Sequence, residues 1–212
     1  MPSYQAAISI KMQDLSLLGN LTIPEGAVGI VIFSHGSGSS RLSPRNNYVA
    51  KVLQDHGLAT LLLDLLTAEE DLVYENRFNI NLLAKRLIAA THWVKNQEHT
   101  KALAMGYFGA STGAASALRA SAFLGSDIQA VVSRGGRPDL AMAVLSRVEA
   151  PTLFIVGGWD REVVALNQQA FSELRGDHQL VIVPEASHLF EEPGKLEEVA
   201  TLSTAWFKEY LT

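Results

Sequence analysis

The sequence predicts an α/β fold, a doubly wound, mostly parallel eight-stranded sheet in one domain spanning residues 1–212. Three observations lead there. Short runs rich in Val, Ile and Leu alternate with longer segments of helical period, the pattern of a sheet covered on both faces. Most of these runs are apolar throughout, as strands buried on both sides are. The composition, 48% hydrophobic and 18% charged over 212 residues, is that of an ordinary globular chain able to bury a continuous core.

Taken in order, residues 5–10 and 15–23 flank Gln13-Asp14 and alternate apolar with polar side chains, as an antiparallel pair at a sheet edge does. Apolar runs at 29–33, 58–65, 102–107, 130–133, 152–156 and 180–183 bring the strands to eight. Helices are expected at 46–56, 79–95, 111–124, 161–174 and 196–211. In the second of these, Ile80, Leu83, Ala84, Leu87, Ile88 and Thr91 recur at three- and four-residue steps, so one face is core. Fewer than twenty residues separate Ser133 from Thr152, too few for a lid domain, so the site should be open.

The chain carries 17 basic and 22 acidic residues, a net charge of -5, without a lysine- or arginine-rich run. Nucleic acid is therefore not an expected partner. The absence of cysteine excludes disulfides, thiolate metal sites and a cysteine nucleophile together. Residues 1–12 lack a basic leader followed by an apolar run, and the most apolar stretch, 58–66, is interrupted by Asp64 and too short to span a bilayer. The expectation is a cytoplasmic protein that keeps its whole chain and has no membrane partner. Oligomeric state stays open, a homodimer included.

The chemistry centres on Gly109-Ala110-Ser111-Thr112-Gly113, between an expected strand and an expected helix. A serine lifted on such a turn is placed to act as a nucleophile, and the flanking glycines avoid collisions with the neighbouring strand and helix. A serine hydroxyl also needs a base, a group that orients the base, and donors for the oxyanion. Asp160 follows the run 152–156 through Gly157-Gly158-Trp159, at the carboxyl end of a strand, and reads as the orienting acid. The competing role for Asp160 is to cap the helix starting at Arg161, and Asp139 is the reserve acid. His188, just past the last strand, reads as the general base, completing the chain order Ser, Asp, His. Backbone N–H groups of Ser37 and Thr112 are the expected oxyanion donors, with His35 holding the Ser37 loop by hydrogen bonds. The glycine spacing of that loop matches neither phosphate-binding fingerprint.

With His35-Gly36-Ser37-Gly38, the serine turn, Gly157-Gly158-Trp159-Asp160 and Ala186-Ser187-His188-Leu189-Phe190 in this order, the chain resembles the α/β-hydrolase superfamily. It is most similar to the compact dienelactone hydrolase-like branch. The resemblance implies a Ser111-Asp160-His188 triad and cleavage of a small acyl ester or related compound. Dienelactone hydrolases proper carry a cysteine where this chain has Ser111, so the lactone is not carried over and a general esterase is implied. Neither a metal nor an organic cofactor is required. Arg41, Arg45, Arg134 and Arg137 all follow strand ends and are candidates to receive an anionic substrate; their alternative is pairing with Glu69, Glu70, Asp71 or Asp139. Trp159, Tyr107 and Phe108 are candidates for an acyl pocket or for plain core. The rival functions are an inactive binding or regulatory module on the same fold and a dinucleotide-binding protein, for which the glycine spacing is wrong.

Overall fold

The computed structural model describes residues 2–12 and 14–212, the side chains of Pro2 and Ser3 excepted. Gln13, half of the expected Gln13-Asp14 turn, lies outside the described residues. Among the described residues eight strands form one sheet: β1 (Pro2–Lys11), β2 (Ser16–Pro24), β3 (Gly29–Ser34), β4 (Leu58–Leu63), β5 (Ala104–Ala110), β6 (Ala130–Arg134), β7 (Thr152–Gly157) and β8 (His178–Val183). Their order is β1-β2-β4-β3-β5-β6-β7-β8. β1 pairs antiparallel with β2, and β2 antiparallel with β4. All later neighbours are parallel.

The helices are α1 (Pro44–Asp55), α2 (Ala68–Asp71), α3 (Ile80–Lys95), α4 (Thr112–Leu124), α5 (Arg161–Phe171) and α6 (Lys195–Tyr210), with 3-10 turns at Tyr74–Phe78, Gly125–Asp127 and Pro138–Arg147. Because strand side chains alternate, β3 feeds two cores. Ile30 and Ile32 join Leu87 of α3 and Leu118 of α4 on one face. Val31 and Phe33 join Leu53 of α1 and Phe207 of α6 on the other. Each such fully buried side chain stabilises the fold by roughly 1.5–3 kcal/mol relative to exposure. The sheet is therefore doubly wound, and it carries no lid domain. Residues between β6 and β7 form only the Pro138–Arg147 turn. No helix among the described residues is long and apolar enough to cross a membrane.

Several elements differ from the sequence expectation, and three of the differences have a clear local cause. β5 runs to Ala110 instead of stopping at Tyr107, because Gly109 pairs with both Ser34 and Ser133, and Ala110 with Arg134. A glycine that reads as a strand end is held in the ladder from both sides. α1 starts at Pro44, ahead of Asn46, since Ser43 accepts the Asn46 N–H and the proline takes the first helical position, where no donor is needed. Residues Ala68–Asp71 form a short helix with no apolar period to announce it; a capping box between Thr67 and Glu70 organises it.

Candidate active site

β5 ends at Ala110 and α4 begins at Thr112, so Ser111 alone makes the strand-to-helix turn. It adopts φ 52 and ψ -121, a region unfavourable for a residue with a side chain and costing about 1–3 kcal/mol. Surrounding bonds hold it there: Ser111 N–H donates to the Arg134 carbonyl at 3.2 Å, and its own carbonyl accepts from Arg137 at 3.1 Å. A Cβ on Gly113 would stand 2.1 Å from the Ser34 carbonyl oxygen, and one on Gly109 2.5 Å from Ala114 Cα. The two glycines thus let α4 pack directly on β3 and β5.

From β7 and β8 come the partners of that serine. His188 Nε2 lies 3.3 Å from Ser111 Oγ, and His188 Nδ1 lies 2.6 Å from Asp160 Oδ2. A carboxylate only accepts, so Nδ1 carries the proton and Nε2 is left to accept from the serine hydroxyl. Asp160 does occupy the N-cap position of α5, yet its side chain makes no capping bond. Its carboxylate is given to His188 instead. Asp139, the reserve acid, is paired with Arg137 through two bonds of 2.9 and 2.8 Å at the start of its 3-10 turn.

The Asp160 and His188 loops are fastened to each other by backbone. Gly158 N–H donates to the Val183 carbonyl at 2.8 Å and Trp159 N–H to the Ala186 carbonyl at 3.0 Å. Phe190 is buried and anchors the far side of the His188 loop. The Ser187 N–H donates to Glu192 Oε2 at 3.0 Å, and hydrogen bonding to Ser187 holds the Glu192 carboxyl below its ordinary range.

Across the cleft, His35 Nδ1 donates to the Gly36 carbonyl at 2.9 Å and Nε2 accepts the Leu65 N–H at 3.1 Å. Burial pushes its pKa down, which keeps the imidazole neutral, as those two bonds require. Thr112 opens α4, so its N–H has no acceptor within the helix. The Ser37 N–H donates to Thr112 Oγ1 at 2.9 Å. Receiving an oxyanion at Ser37 thus requires that bond to be shared or exchanged.

Ser111 and His188 open into a cavity of about 200 Å³ whose wall includes Ser37, Arg45, Asn46 and Arg134. Of the expected substrate-binding residues the structure brings Arg134 to this cavity and leaves Arg41 and Trp159 out of its lining. Arg41 is turned to Asp64, which bonds both its guanidinium and its backbone N–H. Trp159 is 61% exposed and faces solvent. Arg45 pairs with Glu191 at 3.0 Å. Arg134 is buried; burial first and the nearby Arg45 charge second lower its pKa to about 10, so it stays protonated at neutral pH. Tyr107 and Phe108 are fully buried core, with the Tyr107 hydroxyl bonded to Thr91. Asn46 and Ser43 escaped the sequence reading. The Ser43-Pro44 pair, a cap followed by a first-turn proline, is the signal that would have put both at a helix start facing the cleft.

Comparison with known proteins places this geometry. Two curated Mycobacterium tuberculosis proteins, from strains CDC 1551 and H37Rv, are 53% identical over 99% of this chain and carry the provisional name phosphoribosyl transferase. The chain spans about half of their length, 47%. A crystal structure described as a dienelactone hydrolase from Anabaena variabilis is 55% identical, covers 99% of each chain and superposes with a TM-score of 0.95. The Pyrococcus furiosus esterase Pf2001, at 18% identity over 99% of this chain and 94% of its own, shares the fold with a TM-score of 0.77. The model of the dienelactone hydrolase family matches residues 19–211, a span that includes Ser111, Asp160 and His188, and the chain belongs to that family.

Proposed function

We propose that the protein is a serine hydrolase that cleaves small carboxylic or thio-esters through an acyl-enzyme. The observation that carries this reading is the chain of contacts from Ser111 Oγ through His188 to Asp160, built on a backbone turn that the fold strains to hold. His188 Nε2 takes the Ser111 proton as Oγ attacks the acyl carbon, and the oxyanion is received by the N–H groups of Thr112 and Ser37. His188 then gives that proton to the departing alcohol or thiol. Water, deprotonated by the same nitrogen, attacks the acyl-serine and releases the acid, returning the proton to Ser111. Asp160 keeps the imidazole in the tautomer both steps use. The 3.3 Å separation of Nε2 and Oγ is long for a hydrogen bond at rest and is expected to shorten when substrate is bound.

The cavity of about 200 Å³ favours a small acyl group. The transfer reaction in the name of the Mycobacterium relatives has no comparable support in this chain, and those proteins are about twice as long. A fluorophosphonate probe tests the proposal directly. It is expected to label the wild type and not Ser111→Ala, whereas an unlabelled, folded wild type would falsify the nucleophile and favour a binding module.

A further inference from the structure

Five arginines each have an acid. Arg41 pairs with Asp64, Arg45 with Glu191, Arg77 with Asp71, Arg86 with Glu70 and Arg137 with Asp139. Among the described residues Arg134 has none. It is 4% exposed, its Nε has no hydrogen-bond partner among them, and its Nη2 donates to Asn46 Oδ1 at 3.3 Å. The guanidinium carbon also sits 5.9 Å over the Phe190 ring, a weak substitute for a counter-ion. A buried cation without an anion is costly, and here a second cation, Arg45, lines the same cavity.

The remaining wall adds to the positive potential. Ser43 and Asn46 belong to the start of α1, a helix of 12 residues, and the positive end of its dipole lies at that first turn. The Arg134 carbonyl accepts the Ser111 N–H, so the arginine and the nucleophile stand on adjoining strand ends and face one cavity. We infer that Arg134, Arg45 and the first turn of α1 form an anion subsite, which receives an oxyanion group, carboxylate or phosphoryl, carried by the substrate on a short spacer from the scissile acyl carbon. Beyond the long bond from Nη2 to Asn46, the guanidinium has donors in reserve for such an anion to accept. The small cavity sets the spacer length. The word substrate rests on the hydrolase reading, but the anion site itself does not.

Two measurements test it. In the first, aryl half-esters of short dicarboxylic acids are compared with neutral aryl esters of equal length. The wild type is expected to favour the charged ester at least about tenfold in kcat/KM, chiefly through KM. Arg134→Met, similar in volume and free of the buried charge, should lose about tenfold more on the charged ester than on the neutral one; Arg45→Gln should show the same bias more weakly and guards against misfolding of the first variant. No preference, or equal losses on both esters, overturns the subsite while leaving the hydrolase reading intact. In the second, malonate and inorganic phosphate are titrated separately and followed by NMR. Binding to the wild type, at least about tenfold weaker in Arg134→Met, supports the site, and the tighter of the two anions identifies the group. Failure of both to bind overturns it even if no ester is ever turned over.

Discussion

The α-helices whose N-cap residue has a side chain, all but α6 with its Gly194, fall into two groups. At α1, α2 and α3 the capping residues Ser43, Thr67 and Asn79 each accept a first-turn N–H with their side chains. At α4 and α5 the same position is held by Ser111 and Asp160, and neither side chain caps. A cap contributes about 1 kcal/mol, so two helices forgo ordinary stabilisation at the edge of the sheet where the cleft lies. Both withheld side chains point to His188. Chemically suitable capping residues that do not cap are therefore more informative here than the residues that do.

The largest test of this division is Asp160→Asn. Its kcat on an activated ester should fall by about a thousandfold to ten-thousandfold, because the amide no longer fixes the Nδ1–H tautomer. Its urea-unfolding free energy should stay within about 0.5 kcal/mol of wild type, since no cap is lost. A loss of stability matched by a small loss of rate would move Asp160 into the capping group. Ser111→Gly comes next. It should remove probe labelling while raising stability by about 1 kcal/mol, because glycine adopts φ 52 without strain. A destabilised variant would show that the turn is not strained.

On the other side of the division, Ser43→Ala should lower the unfolding free energy by about 1 kcal/mol. The smallest effect contrasts two histidines. Burial holds the His35 pKa below its ordinary 6.5, so the unfolded chain takes up the proton first as pH falls. The stability due to neutral His35 is complete above about pH 6.5 and is lost as pH drops below that value. The wild-type urea midpoint should therefore decline from pH 7.5 to 5.5 more steeply than that of His35→Gln. Parallel declines would remove His35 from the acid sensitivity.

The contrast between caps also explains what could be read from the sequence. Strand ends are visible in an apolar run, and the three that precede Ser111, Asp160 and His188 put those residues on one edge; the structure brings their polar atoms within bonding range. Asp160 could be assigned two roles because Asp before a helix serves either, and only the direction of χ1 separates them. Arg41, Arg134 and Trp159 were alike in sequence, each shortly after a strand end. They part in three dimensions, where Asp64 captures Arg41, Arg134 is enclosed between Asn46 and Phe190, and Trp159 faces solvent. Side-chain direction and long-range partners carry no local pattern, so these outcomes had no signal along the chain. The added length of β5 was hidden for a related reason, since pairing on both sides overrides the low strand preference of Gly109.

One bond at the cleft has an energetic meaning of its own. Ser37 is exposed, so its N–H could otherwise donate to water; the hydroxyl of Thr112 takes it instead and acts as a neutral placeholder where, in the proposed mechanism, a charged oxygen forms. In the proposed mechanism the gain at Ser37 is then the difference between two acceptors and not the full strength of a new bond. Charge-assisted bonds are about twice as strong as neutral ones, so the exchange is nearly free for a ground-state carbonyl and favourable only once the oxygen becomes an anion. The placeholder makes the site discriminate between the two states of the same atom.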